Sequence, residues 1–142
     1  IGLTASIFWN LNSLARIEYS VFPEIKISQT SQEWIGYYSG IYSNEKYPYK
    51  KLKRLSGRVA FCESGFKNVK GTLDNSVGIF QFQKSTFKAN CMGDIWSIRD
   101  NVSCGVRLIG EGKIYHWGTL PSVQNPNGSW WGSWRCWKNY LE

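Results

Sequence analysis

The 142-residue chain has a single histidine and no C-x-x-C cysteine pair. A zinc site would therefore need most of its four cysteines, and neither a metal nor a cofactor is expected. No apolar run is long enough to cross a bilayer. The uncharged opening, residues 1–15, contains Asn10, Asn12 and Ser13 and is too short and too polar to span one, so no stable membrane insertion is expected. Zinc-finger spacings and other signatures of a nucleic-acid module are missing, as are internal repeats and low-complexity tracts. Acidic residues are few, 10 against 17 lysines and arginines.

What is present points to one globular domain over 1–142. The length is large enough for a real core, and 42% of the residues are hydrophobic. Aromatic residues reach 16%, with eight tryptophans, which serve either a core or a carbohydrate site. The net charge of +7 attracts polyanions such as nucleic acid, anionic lipid or bacterial cell wall. Its densest cluster, Lys50, Lys51, Lys53, Arg54 and Arg58, has the spacing of one solvated helix face. Four cysteines, Cys62, Cys91, Cys104 and Cys136, suggest two disulfides in three possible pairings, and an oxidising compartment. The start at Ile1 is read as a processed or trimmed end.

Along the chain, Leu3, Ile7, Leu11 and Leu14 fit one face of an amphipathic helix that docks on the domain. Residues 20–48 are the hardest to read; Pro23 and Ser28 to Gln32 suggest turns and polar loops. From Tyr49 to about Ser64 a helical period is clear, with Leu52, Leu55, Val59 and Cys62 on one stripe. Glu63 follows Val59 by four residues, so it falls on the buried stripe near the helix end and not among the lysines. That is an unusual place for a glutamate. Gly65 and Gly71 end this helix, and Asp74-Asn75 reads as a turn. Val77 to Phe82 reads as a strand. Ser85 and Thr86 are expected to cap a short helix reaching Asn90. Ser97 to Asp100 resembles a capping box that opens a helix through Val102, Val106 and Ile109. The tail from Gly118 reads as loop.

Four pieces occur in order: Cys62-Glu63-Ser64-Gly65, Val77-Gly78-Ile79-Phe80-Gln81-Phe82, Asp100-Asn101-Val102, and His116-Trp117. Together they resemble the lysozyme-like superfamily, and within it lytic transglycosylases and the catalytic domains of resuscitation-promoting factors. The resemblance covers about residues 50–137. Glu-Ser-Gly alone is a weak motif; followed fifteen residues on by Gly-x-x-Gln it is far more specific. The resemblance implies an α+β fold, mainly helical, with a small β-hairpin beside an active-site cleft. It makes residues 46–142 the catalytic core and 1–45 a helical and loop extension packed on it. It also implies Glu63 as the catalytic residue, a cleft lined by Ser76, Gly78, Phe80, Gln81 and Trp117, and a Cys62–Cys136 disulfide that leaves Cys91 with Cys104.

The chemistry of these residue types agrees. Glycosidic cleavage needs a proton for a poor leaving group, and burial raises a carboxyl pKa toward the range where it can give one. Gln81 can bond both the amide and the hydroxyl groups of an N-acetylated sugar. Gly78 permits close approach. Trp117, Trp130, Trp131, Trp134 and Trp137 offer faces for sugars, with packing as the alternative. His116 is assigned no catalytic role. In c-type lysozymes a second acid lies two residues before the strand glycine. Ser76 holds that position here, and Asp74, a possible second carboxylate, lies two residues further back.

The expectation is therefore a secreted, periplasmic or virion-borne monomer that cleaves peptidoglycan between N-acetylmuramic acid and N-acetylglucosamine. One glutamate would act as acid and then base, as in lytic transglycosylases. The rivals are a true lysozyme using Asp74 or a water, a glycan-binding module without catalysis, and a basic nucleic-acid binder. Asn101-Val102-Ser103 and Asn127-Gly128-Ser129 also fit the glycosylation sequon.

Overall fold

The computed structural model describes residues 30–72, 74–118 and 134–142. The expected helix around Leu3, Ile7, Leu11 and Leu14 lies outside them, as do Trp130, Trp131, Asn127 and the side chain of Trp134.

The first described element is helix α1, Ser31–Tyr42, which corrects the expected polar loop at Ser31 and Gln32, while Ser28 and Gln29 lie outside the described residues. Thr30 and Glu33 form a full capping box. The Thr30 hydroxyl accepts from the Glu33 N–H at 3.3 Å, and the Glu33 carboxylate accepts from the Thr30 N–H at 2.8 Å. Two of the orphan donors of the helix start are thereby satisfied. Ile35 and Ser39 are buried. Trp34, Tyr38 and Tyr42, spaced four apart, stack in a row at 5.6 and 5.8 Å between ring centroids.

Helix α2 runs Tyr49–Ser64, the span its periodicity predicts. Leu52, Leu55 and Val59 are fully buried and anchor the core. It stops where Gly65 takes φ 63°, a left-handed conformation that glycine adopts without penalty, and the Gly65 N–H caps the Phe61 carbonyl. Helix α3, Lys84–Asn90, has Gln83 in the N-cap position, so Ser85 and Thr86 lie inside it and do not cap it.

Helix α4, Ile98–Gly110, starts at Ser97, whose hydroxyl accepts from the Asp100 N–H at 3.2 Å. The Asp100 carboxylate turns away from the expected reciprocal bond and takes the Asp94 N–H at 3.0 Å. Glycine inside α4 has a packing reason. A Cβ on Gly105 would lie 2.5 Å from the Phe80 ring, so its absence makes the slot in which that ring sits. Helix α1 packs on α2 and α4, and α2 also packs on α4 and on a short C-terminal helix α5, Trp134–Trp137.

The described residues are thus mostly helical. Their only bridges outside helices are the antiparallel pairs Lys70–Val77 and Val77–Phe82. The strand expected over Val77 to Phe82 is corrected. Val77 and Phe82 exchange both backbone hydrogen bonds, at 2.9 and 3.0 Å, and the four residues between them form a tight turn.

Two disulfides close the fold, Cys62–Cys136 with Cα atoms 5.9 Å apart and Cys91–Cys104 with 5.6 Å. Their separations of 74 and 13 residues correspond to about 4 and about 3 kcal/mol in the chain-entropy account. The first fastens the C-terminal segment to the end of α2, where the Arg58 Nε also donates to the Cys136 carbonyl at 3.0 Å. No helix among the described residues is long and apolar enough to cross a membrane.

Candidate active site

The turn Gly78–Gln81 is largely buried, so its backbone groups need partners from the protein. Each of the other three pieces of the sequence constellation supplies one. The Ser64 hydroxyl, at the end of α2, donates to the Ile79 carbonyl at 2.7 Å. Asn101, fully buried in the first turn of α4, accepts from the Phe80 N–H at 2.9 Å and donates to the carbonyls of Val77 and Ile95 at 3.2 and 2.9 Å. The Trp117 indole donates to the Phe80 carbonyl at 2.6 Å. Gly78 is required twice over. Its φ is 85°, and a Cβ there would lie 2.1 Å from the Asn101 amide nitrogen. Three elements far apart in sequence therefore grip one turn.

Glu63 sits beside this grip. Counting back three, four and seven residues from it reaches Ala60, Val59 and Ser56, all fully buried, so its side chain ends the buried stripe. At that point the stripe comes to the surface, and Glu63 is half-buried, not enclosed as its place on the stripe suggests. Because Ser64 bonds Ile79, the Glu63 end of α2 and the turn bearing Gln81 are joined directly.

Next to the turn, three polar side chains converge over Gly71. A Cβ on Gly71 would lie 2.5, 2.8 and 2.9 Å from oxygens of Ser76, Gln81 and Asp74. The Gln81 amide donates to the Val69 and Gly78 carbonyls at 2.9 and 2.8 Å. The Ser76 hydroxyl lies 2.7 Å from both Asp74 Oδ1 and Gln81 Oε1. One hydroxyl has one hydrogen, so it serves one of these acceptors at a time. The hydrogen bond from the Ser76 side chain holds the Asp74 carboxyl below its ordinary range, against a smaller opposing effect of burial. Asp74 also accepts from the Ser76 N–H at 3.1 Å, the local bond of a turn-former.

The remaining sequence candidates fall elsewhere. Phe80 and Trp117, expected to line the cleft, are core residues at 0% and 3% exposure. Their rings meet edge-on at 5.6 Å, and Trp117 also meets Phe82 at 5.4 Å, so neither has an open face for a sugar. Trp137 is likewise buried. Ser76 is 4% exposed and reaches outward only through its hydrogen bonds. His116 has its pKa lowered by burial, with Lys113 adding to the shift, and its ring lies 4.6 Å from that of Tyr115. The buried Asn101 side chain is fully engaged, which removes the first glycosylation sequon as a modification site. Among the described residues no cluster of His, Cys, Asp and Glu could hold a metal ion.

Sequence reasoning missed the clamping roles of Ser64 and Asn101. Both stood in the motif, but only their contacts with backbone 15 to 24 residues away reveal what they do. It also did not find a cavity of about 550 Å³ between α1, α3 and α4, walled by Tyr42, Met92, Arg99, Ser103 and Arg107 and by the Cys91–Cys104 disulfide. Of the motif residues only Asp100 lines that cavity; Glu63 and the turn bearing Gln81 do not. Compared with protein-family models, with curated proteins and with solved structures, the chain matches none.

Proposed function

We propose that this chain cleaves peptidoglycan glycan strands between N-acetylmuramic acid and N-acetylglucosamine in the manner of a lytic transglycosylase, within a lysozyme-like α+β fold. Glu63 acts first as acid and then as base. The observation that carries this reading is the 2.7 Å bond from Ser64 to Ile79, which couples the Glu63 helix end to the turn bearing Gln81. The Glu-Ser-Gly and Gly-x-x-Gln pieces, fifteen residues apart in sequence, are thereby neighbours in space.

In this mechanism Glu63 protonates the glycosidic oxygen as the bond to the muramic C1 breaks. It then takes the proton of the muramic 6-hydroxyl as that oxygen closes on C1. The hydroxyl belongs to the same sugar, so its effective concentration is high and it competes well with water. Gln81 contributes recognition. When the Ser76 hydroxyl turns to Asp74, Gln81 Oε1 is open to a donor such as the N–H of an acetamido group. The two disulfides fit an oxidising compartment.

A second reading draws on one observation. Asp74 is held ionised beside the same turn, which is the state a nucleophile or a water-activating base needs. That would make the enzyme a hydrolase, a true lysozyme.

The test of the first reading is clearance of a cell-wall suspension by the wild type and by Glu63→Gln. The substitution keeps the shape and removes the transferable proton. Clearance should fall by roughly 100-fold or more while wall binding survives. Near-normal clearance by the variant would overturn the assignment of Glu63.

A further inference from the structure

The cations of the described residues differ in how they are partnered. Along α4 and just beyond it three are paired: Arg99 with Asp100 at 3.1 Å in its first turn, and Arg107 with Glu111 at 2.6 Å and Lys113 with Glu111 at 2.9 Å around its end. Along the outward face of α2 they are not. Lys50, Lys53 and Arg54 are exposed and have no carboxylate of the described residues within ion-pair distance. The first turn of α2 contains no acid. Its lysines thus face the positive end of the helix dipole, an unfavourable arrangement that an acidic residue would relieve.

Gly57 gives an independent indication. It lies in the middle of α2, where glycine is a poor helix former, and a Cβ built on it would meet nothing within 4 Å. In contrast to Gly105, no packing contact calls for it. It lies three residues after Arg54 and four before Phe61, so the strip has a bare stretch of backbone between its cations and the exposed Phe61 ring.

We propose that this strip, Lys50, Lys53, Arg54, Gly57 and Phe61, docks a polyol-phosphate chain of the cell wall, and that Gly57 lets the chain lie close against the helix. The identity of the polymer rests on the proposed function; the preference for a flexible phosphodiester strand rests on the strip. The cations supply charge complementarity along roughly 16 Å of helix. The strip offers no free platform for stacked bases, because its exposed rings, Tyr49 and Phe61, are each already met by a cation, Lys53 at 5.7 Å and Arg58 at 5.2 Å. It has no apolar face to insert into lipid, since Leu52, Leu55 and Val59 are fully buried in the core.

The experiment measures binding of the full chain, carrying Glu63→Gln so that nothing is cleaved, to three probes at equal salt. These are poly(glycerol phosphate), a single-stranded oligonucleotide and vesicles containing anionic phospholipid. Poly(glycerol phosphate) should bind tightest. Its affinity should fall roughly tenfold or more between about 50 and 200 mM salt. Replacing Lys50, Lys53 and Arg54 by Gln should remove most of the binding and flatten the salt dependence.

Gly57→Ala should raise Tm by roughly 3–5 °C, because alanine is the better helix former, and leave binding within about twofold. Gly57→Leu, with melting no worse than wild type, should weaken binding about tenfold by filling the bare stretch. The proposal is overturned if the triple substitution leaves binding unchanged, if Gly57→Leu binds as wild type does, or if the oligonucleotide or the vesicles bind as tightly as poly(glycerol phosphate). Binding of a purified polymer needs no turnover, so loss of wall cleavage alone would refute the proposed function and leave this inference standing.

Discussion

The end of α2 and the loop at Asp74 are both hydrogen-bonded to the segment Gly78–Gln81 or its flanks, and each carries one acidic residue, Glu63 and Asp74, but the chain positions the two by different physics. Glu63 is carried by sixteen residues of regular helix, and the 3.6-residue period decides which way it faces. Asp74 belongs to a short exposed loop and is held by its own neighbourhood, through the N–H and hydroxyl of Ser76. The first arrangement spends backbone order to aim a side chain at the edge of the core. The second uses the side chain to hold the backbone. A carboxylate already occupied in building its own loop is a poor candidate for giving up a proton, and its lowered pKa says the same.

The comparison breaks most sharply at Glu63, where Glu63→Gln is expected to cost the activity and leave the fold. The next effect in size is at Asn101, which serves both regions because it grips the turn between them. Asn101→Ala leaves the Phe80 N–H and the Ile95 carbonyl without the partner that Asn101 gives them, at a cost of about 3 kcal/mol. Thermal or denaturant unfolding measures that cost directly. A loss under about 1 kcal/mol would mean that the turn does not depend on this clamp.

Much of this contrast was legible in sequence on the helical side and little of it on the loop side. The bounds of α2 followed from Leu52, Leu55 and Val59 and from the glycine at 65, all local signals. The disulfide pairing came through the family resemblance, since three pairings were otherwise open. The run Val77 to Phe82 misled because its residue types suit a strand. What bends it are positive φ values at Gly78 and Gln81, 85° and 47°, and partners on α2, on α4 and at Trp117. Helix α1 was missed although Thr30 and Glu33 carried a capping box, because the polar residues around them dominated the pattern. Phe80 and Trp117 were misjudged for a general reason. An aromatic ring in sequence looks the same whether it packs a core or lines a cleft.

The smallest expected effect is at Asp74 itself. Asp74→Asn keeps an acceptor for Ser76, so activity should stay within about threefold, whereas loss of an essential base would cost roughly 100-fold. The pH dependence gives the sign. A carboxyl whose pKa is lowered on folding stabilises the fold above its unfolded pKa of about 3.9, and that contribution is lost as pH falls through the lower folded value. The Tm of the wild type should therefore fall toward that of Asp74→Asn between about pH 5 and pH 2, superimposed on the losses from Asp100 and Glu111, which are lowered in the same direction. A gap between the two proteins that widens in acid would show that Asp74 is not held as an anion in the fold.

The most direct measurement is mass spectrometry of the fragments that the wild-type chain releases from purified peptidoglycan. A single acid/base at Glu63 with an internal hydroxyl as nucleophile adds no water, so the muramic ends should be 1,6-anhydro sugars, roughly 18 Da lighter than hydrolysed ends. Fragments ending only in ordinary reducing sugars would contradict the single-carboxylate account and bring Asp74 back as the second group. Release of no glycan fragments at all would contradict the cleavage itself.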